Sequence, residues 1–367
     1  MSIYKIQDSK NDKTLFWLIL GFLLFGVVMI FDASAVAAAQ DFKDKFYYLR
    51  LQSLWAFLGI FLMIGFSLVN YHFWQKISVF LFLGALSLLI LVLIPGIGLK
   101  YLGGRRWLGI GEFSFQPSEL AKLAFIIYLS SLLEKKKRLS TFLLLVGLVT
   151  VLLMLEPDLG TSLIVIATAF FIYFASGAHL LELLLVLFLG LAGVAGFIFT
   201  APYRLSRLKV FLNPEIDPEG ASYHLRQILL ALGSGGLWGR GLGQSRQKYL
   251  FLPETATDSV FAVIGEEMGF IGSLAVLLFL LIMIIRGLKI AQEAPDKFGQ
   301  LLGVGIAGSI FVQSFLNLAS MVSLVPLTGV PLPLISYGRS SLLVTLSGLG
   351  ILLNISRQRV IKKKKEK

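Results

Sequence analysis

The chain has 367 residues, 56% of them hydrophobic and 15% charged, with a formal net charge of +12 and a mean hydropathy of +0.83. A soluble domain carries roughly 45–50% apolar and about 25% charged residues, so a soluble globular fold is excluded and a polytopic all-α membrane protein is expected. The absence of cysteine excludes disulfides and thiolate metal sites, and the scattered His72, His179 and His224 argue against a zinc site.

A span needs about 20 apolar residues. In chain order, ten segments are predicted to cross: Leu15–Val36, Leu51–Val69, Ile77–Ile94, Pro117–Leu133, Leu139–Leu155, Leu159–Ala175, Leu180–Thr200, Asp258–Ile285, Leu301–Val325 and Ser340–Ile355. The first lacks a small-residue cleavage site and reads as a membrane helix, not a signal peptide. The turn Glu156-Pro157-Asp158 separates the fifth from the sixth. Residues 1–367 therefore form one membrane domain, with a long loop at about 201–257 and a basic tail at about 357–367.

An even number of spans puts both termini on one side, and the positive-inside rule selects it. With the N-terminus inside, the inner segments hold Lys5, Lys10, Lys13, Lys76, Lys135, Lys136, Lys137, Arg138, Arg286, Lys289, Lys297 and the tail. The short outer loops hold fewer cations: Lys43, Lys45, Arg50, Lys100, Arg105, Arg106 and Arg339. Both termini are placed in the cytoplasm. The run Lys362–Lys365 reads as a topology anchor, with anionic lipid as the other reading. Nothing in this charge pattern calls for a nucleic acid.

This topology gathers the unusual stretches on the outer side: Gly103 to Lys122, Leu155 to Ser162, Ala201–Thr257 and Pro331 to Leu343. Asp258 stands there too, where the loop meets the eighth span. An ionisable group at a helix mouth is a functional-site hypothesis; the plainer reading is a helix N-cap, which Asp favours. Arg105, Arg106, Arg204, Arg207, Lys209, Arg226, Arg240, Arg246 and Lys248 all fall on the same side, against the usual bias, and suit an anionic, phosphate-bearing ligand. The stretch GSGGLWGRGLG from Gly233 to Gly243 lacks the Gly-Lys-Ser/Thr of a nucleotide loop and reads as a flexible surface loop. Tyr223–Leu232 has helical spacing.

Glu119 and Lys122, three residues apart, share a helix face in the fourth span and are read as facing a cavity in preference to a passive ion pair. Glu266 and Glu267 lie about 12 Å below Asp258 at about 1.5 Å per residue, either on the cavity floor or paired with a neighbouring helix. The outer face has no nucleotide supply, so an enzyme there needs a substrate that carries its own leaving group. A polyprenyl-pyrophosphate sugar fits, with cations for the departing diphosphate and a carboxylate to accept the attacking hydroxyl's proton.

The ordered motifs GGRRWL, FQPSELAK, EPDLGTS, PYRLSR, GSGGLWGRGLGQSRQK, LPETATDSVFAVIGEEMG and PLPLISYGRSS resemble those of the SEDS (shape, elongation, division and sporulation) peptidoglycan glycosyltransferases, the family of FtsW, RodA and SpoVE. DASAVAAAQDFKDKFYYLRLQ and PYRLSRLKVFLNPEIDPEG look more like the division-type, FtsW members. The resemblance covers essentially all ten spans. It implies polymerisation of lipid II at the outer face of the bacterial cytoplasmic membrane, with undecaprenyl pyrophosphate as product. It also implies a class B penicillin-binding transpeptidase as partner, alongside other division proteins and membrane lipids.

By the same resemblance Asp258 is the essential acid, and the proton chemistry above makes it the expected general base. Arg105, Trp107, Glu119, Lys122, Arg204, Arg207, Gln227, Arg246, Lys248, Ser336, Tyr337, Ser340 and Ser341 are the expected substrate-binding positions. A divalent cation, Mg or Mn, is expected only in company with the pyrophosphate. The chain departs from the family pattern at Arg339, where a Gly is usual, at Asp32, and at His224, where Gln is frequent; none of the three is expected to touch the acid. The rival readings are a flippase for lipid-linked precursor, whose site would lie near the midplane, and a non-catalytic division scaffold, which has no need for Asp258, Glu119 and Lys122 to converge.

Overall fold

The computed structural model describes residues 12–358 apart from 102–103, 111–112, 136–137, 200–201, 214, 216–221 and 250. Pro214, Asp217-Pro218 and Gly220, whose residue types mark turns, the inner lysines Lys5, Lys10, Lys136 and Lys137, and the run Lys362–Lys365 lie outside the described residues.

The first three helices, α1 (Lys13–Phe42), α2 (Tyr47–Leu68) and α3 (Tyr71–Leu93), lead into three short strands, β1 (Leu99–Tyr101), β2 (Gly104–Ile110) and β3 (Phe113–Phe115). Then come α4 (Pro117–Lys135), α5 (Leu139–Leu155), α6 (Leu159–Ala175) and α7 (Leu180–Phe199). Two shorter helices, α8 (Pro202–Leu212) and α9 (Tyr223–Gly235), occupy the long loop, and α10 (Val260–Gln292), α11 (Lys297–Met321) and α12 (Arg339–Arg357) complete the chain.

Each predicted span falls on a helix. Seven of them, α1, α2, α3, α7, α10, α11 and α12, are long and apolar enough to cross a membrane. Helices α5 and α6 have 17 residues each, and α4 carries Glu119, Lys122, Glu134 and Lys135. Burial grades the bundle: the most apolar stretches of α11 and α12 are 72% and 78% buried and that of α7 only 11%, so α11 and α12 are central and α7 peripheral.

Aspartates fix several helix starts. Asp12, Asp158 and Asp296 accept the N–H groups of Leu15, Thr161 and Gly299 at 2.8–3.0 Å, ahead of α1, α6 and α11. Asp12 also lies 3.7 Å from Arg286 near the end of α10, so α1 begins where α10 finishes, as alternating spans require.

The sequence pattern predicts no strands. β1, β2 and β3 form an antiparallel sheet in chain order, pairing Lys100 with Arg105 and Leu108 with Phe115. Helix α8 is a second addition.

The glycine-rich stretch is not a flexible surface loop. Helix α10 breaks at Gly269, where φ is 66°. In an unbroken helix the carbonyls of Glu266 and Glu267 would accept from Phe270 and Ile271. Here they accept from Arg240 N and Gly241 N, each at 3.0 Å, while Phe270 N and Ile271 N donate to Gly236 O and Leu237 O at 2.8 and 3.2 Å. Residues 236–241 are thus spliced into the break, and every one of these backbone groups keeps a partner.

Only glycine fits the splice at its tightest points. A Cβ on Gly239, which has φ +80°, would stand 2.1 Å from Glu267 O, and one on Gly235 would stand 2.0 Å from Gly265 O. Gly239→Ala is expected to destabilise the protein by at least ~1–3 kcal/mol, the usual cost of overpacking. Gly233→Ala, where a Cβ meets nothing within 4 Å, should leave the melting temperature unchanged or raise it. Thermal unfolding of both variants in detergent checks the pair.

Candidate active site

Asp258 is not the helix cap. Helix α10 starts at Val260 with Ser259 as N-cap, and no side chain caps it. The Asp258 carboxylate accepts from Thr257 Oγ1 at 3.1 Å. Its backbone carbonyl accepts from Asn317 Nδ2 at 2.9 Å, and the same amide donates to Val330 O at 2.8 Å. Asn317 on α11 therefore pins both the acid's backbone and the loop before α12.

The carboxylate faces a cavity of ≈ 260 Å³ walled by Arg207 and Phe211 of α8, His224 of α9, and Leu327 and Gly329. Arg207 Nη1 donates to Leu327 O at 2.9 Å, which commits one of the guanidinium's five N–H groups and holds its charge at the cavity. Burial pushes the Asp258 carboxyl above its ordinary value of 3.8, opposed by its backbone N–H, the Thr257 hydroxyl and the Arg207 charge. A helix N-terminus alone would have pulled the other way. Desolvation wins, which makes Asp258 a stronger base than an exposed aspartate.

His224 belongs to the surroundings of the acid. It lines the acid's cavity, and its Nε2 lies 2.7 Å from the Ser259 hydroxyl, one residue beyond the acid. Burial pushes its pKa below 6.5; Glu254 opposes that and Arg207 adds to it. Above pH 6.5 the imidazole is neutral folded or unfolded. Below it the unfolded chain takes the proton first, so the stability contributed by neutral His224 is lost as pH falls through that value. His224→Gln should flatten the fall in melting temperature between pH ~7.5 and pH ~5.5, measured by thermal unfolding across that range.

Glu119 and Lys122 form a buried ion pair at 3.0 Å. Lys122 Nζ also donates to Gln313 Oε1 at 3.0 Å. They line a separate cavity of ≈ 30 Å³, large enough for a water molecule and too small for a sugar. Asp258 is not among its walls. The link between the two places is α11: Gln313 Nε2 donates to Pro331 O at 2.9 Å and Ser341 Oγ at 3.3 Å, and Asn317 holds Asp258 one turn further on.

Glu266 and Glu267 line no floor beneath Asp258. Glu267 accepts from the N–H groups of Gly243 and Ser245, and Glu266 from those of Arg246 and Gln247 and from the Ser245 hydroxyl. Lys248 sits 2.8 Å from both Asp32 Oδ1 and Glu267 Oε1 and is 5% exposed. Two of the expected ligand cations are thereby placed elsewhere: Lys248 in this knot, and Arg204 buried against the carbonyls of Phe197 and Met154. Asp32, a departure from the family pattern, is Lys248's partner on α1.

The other expected positions are spread around the same end of the bundle. Arg246 gives its N–H to Glu266 and keeps its side chain exposed. Arg105 and Trp107 are half-buried on β2, while their neighbour Arg106 donates to Glu156 O and Pro157 O. Gln227 is half-buried on α9 and absent from the cavity wall. Ser336 Oγ accepts from Leu332 N, Tyr337 N donates to Ala256 O, and Ser340 Oγ accepts from Gln116 N. Helix α12 starts at Arg339 with helical backbone, so that position needs no left-handed glycine.

Among the described residues no group of three or more His, Asp and Glu converges to hold a metal ion. Reasoning from sequence missed Gln313 and Asn317; two amides one turn apart in an apolar span were the signal available.

An apolar helical bundle with its polar loop folded onto one end, over a cavity shared by a carboxylate and a guanidinium, defines a polytopic membrane protein with a chemically equipped mouth. The chain belongs to the FtsW/RodA/SpoVE family, described as "Cell cycle protein", whose profile matches residues 13–361. It is 41% identical to "Stage V sporulation protein E" of Bacillus subtilis, covering 96% of this chain and 98% of that one. It is 42% identical to "Probable peptidoglycan glycosyltransferase FtsW" of Geobacter sp. strain M18, covering 90% and 93%. Among solved structures, a chain of a peptidoglycan synthase complex described as coordinating polymerization and crosslinking superposes with a TM-score of 0.80 at 29% identity, over 95% of this chain and 98% of that chain. The rod shape determining protein RodA of Thermus thermophilus superposes with a TM-score of 0.71 at 30% identity, over 96% and 98%.

Proposed function

We propose that this chain is a peptidoglycan glycosyltransferase that polymerises lipid II at the outer face of the bacterial cytoplasmic membrane during cell division. Ten spans with both termini inside would place the Asp258 cavity outward. The names carried by its relatives support the activity. The observation that carries the residue assignment is Asp258 and Arg207 facing one cavity.

That geometry supports an inverting transfer. Asp258 takes the proton of the acceptor's GlcNAc 4-hydroxyl, the oxygen bonds to the donor's anomeric carbon, and the bond from that carbon to the diphosphate oxygen breaks with inversion. Undecaprenyl pyrophosphate leaves with the electron pair, and Arg207 stabilises its charge. Arg207 takes this role ahead of Arg204 and Lys248, whose charges are engaged elsewhere. Glu119 and Lys122 act at a distance, by holding Gln313 and through α11 the loop that carries Gly329. Any divalent cation would arrive on the diphosphate, which supplies the oxygen ligands that Mg prefers.

The synthase complex coordinates polymerization with crosslinking, and a class B penicillin-binding transpeptidase is the corresponding partner here. Purified chain in detergent, with and without that transpeptidase, should convert lipid II to glycan strands. Translocation of lipid II in liposomes with no polymer in either setting would select a transporter instead.

A further inference from the structure

The long loop carries large apolar side chains that are exposed outside the spanning helices. Leu229 and Leu230 project from α9, Leu237 and Trp238 from the tip of the splice, and Leu242 just after it; Trp238 is 80% exposed. The opposite face of α9 is accounted for: Leu225, Ile228 and Ala231 are buried and His224 lines the acid's cavity.

The splice fixes the height of its own tip, and α9 rises outward from there, with Gly235 beside Gly265 and His224 beside Ser259. Leu237 O accepts from Ile271 N, so the tip lies level with the break in α10. Large apolar side chains of α10 become exposed from Phe270 onward, through Ile271 and Leu274 to Ile285, while residues 260–267 are buried on every side. Lys289, more than half exposed, marks the other end of that lipid-facing stripe. From Phe270 to Lys289 the helix rises about 28 Å at about 1.5 Å per residue, close to the ~30 Å hydrocarbon core of a bilayer. The break therefore lies at the outer membrane boundary, where Trp is enriched because its ring is apolar and its N–H is wet.

We infer that Leu237, Trp238 and Leu242 are seated in the outer leaflet, as an interfacial anchor continuous with the lipid-facing stripe of α10, with Leu229 and Leu230 above them toward the headgroups. The occupant is phospholipid, with acyl chains against the leucines. The anchor sets the height of α9 at the membrane surface, and with it the height of His224 and the cavity wall. The inference does not depend on the reaction proposed above.

The chain has no cysteine, so single-cysteine variants of the full-length protein can carry one nitroxide each. Trp238→Cys and, separately, Leu242→Cys are labelled and reconstituted in nanodiscs of phosphatidylcholine and phosphatidylglycerol. Collision with oxygen, which partitions into lipid, is compared with collision with a water-soluble nickel chelate by power-saturation EPR. Phe270→Cys serves as the lipid-facing reference and Glu254→Cys as the aqueous one. Both test sites should give oxygen-to-nickel ratios several-fold above Glu254→Cys and approaching Phe270→Cys. Ratios matching Glu254→Cys would overturn the anchor. So would low collision rates with both reagents, which would mean that protein covers the patch. If Trp238→Cys fails to fold, shown by size-exclusion chromatography, Leu242→Cys decides alone.

Discussion

Asp258→Asn should lower the rate of lipid II polymerisation by about 10²–10⁴-fold, the usual contribution of a positioned general base, and should not lower stability. The second half follows from sign. Burial raises the carboxyl's pKa above 3.8 in the folded state, so the folded protein holds the proton more tightly than the unfolded chain. Stability from that group is present at acid pH and is lost as pH rises through the folded pKa. Above the unfolded chain's carboxylate range the buried acid is therefore a cost that Asn removes. Activity should have the opposite dependence, with an acid limb above the ordinary carboxylate range, because only the ionised form accepts a proton. Initial polymerisation rates against pH, with melting temperatures of both proteins, check the two signs. A variant that loses activity together with its fold would leave Asp258 a structural residue.

Lys248→Met should be among the most destabilising substitutions outside the apolar core. Lys248 is the cation between Asp32 on α1 and Glu267 on α10. Removing one partner of a buried ion pair typically costs ~3–5 kcal/mol, because the remaining charge stays desolvated. The knot also fixes the start of the segment from Ser245 to Asp258, since Ser245 bonds both Glu266 and Glu267. The variant should therefore melt early, and its polymerisation rate should fall through misplacement of Asp258. Lys248→Met combined with Asp32→Leu should recover part of the lost stability, since the two residues share one interaction. Unchanged melting with a raised KM for lipid II would instead return Lys248 to the ligand.

The spans were legible because each is an apolar block bounded by charge or turn residues, a pattern that needs no knowledge of the partner helices. Asp258 was legible for a related reason: a lone carboxylate beside an apolar helix has few bland explanations, and the remaining one, capping, fails because Ser259 holds that position. What could not be read depends on contacts distant in sequence. Asp32 and Lys248 are 216 residues apart, and no local pattern announces the pair. The glycines from Gly235 to Gly243 look like slack until Gly269 is seen to open α10 for them. His224 was visible as an oddity, but only folding α9 against the segment before α10 brings it to the acid. β1, β2 and β3 lie in a short glycine-rich connection whose alternation is too brief to outweigh the helical context around it.

The most direct measurement is where lipid II binds. A photo-crosslinking amino acid is placed at Val325, on the wall of the Asp258 cavity, and at Ile310, on the wall of the Glu119–Lys122 cavity, both in the Asp258→Asn background so that substrate is retained. Lipid II should crosslink at Val325, and excess undecaprenyl pyrophosphate should suppress it. Crosslinking at Ile310 with none at Val325 would contradict the assignment of the reaction to the cavity shared by Asp258 and Arg207.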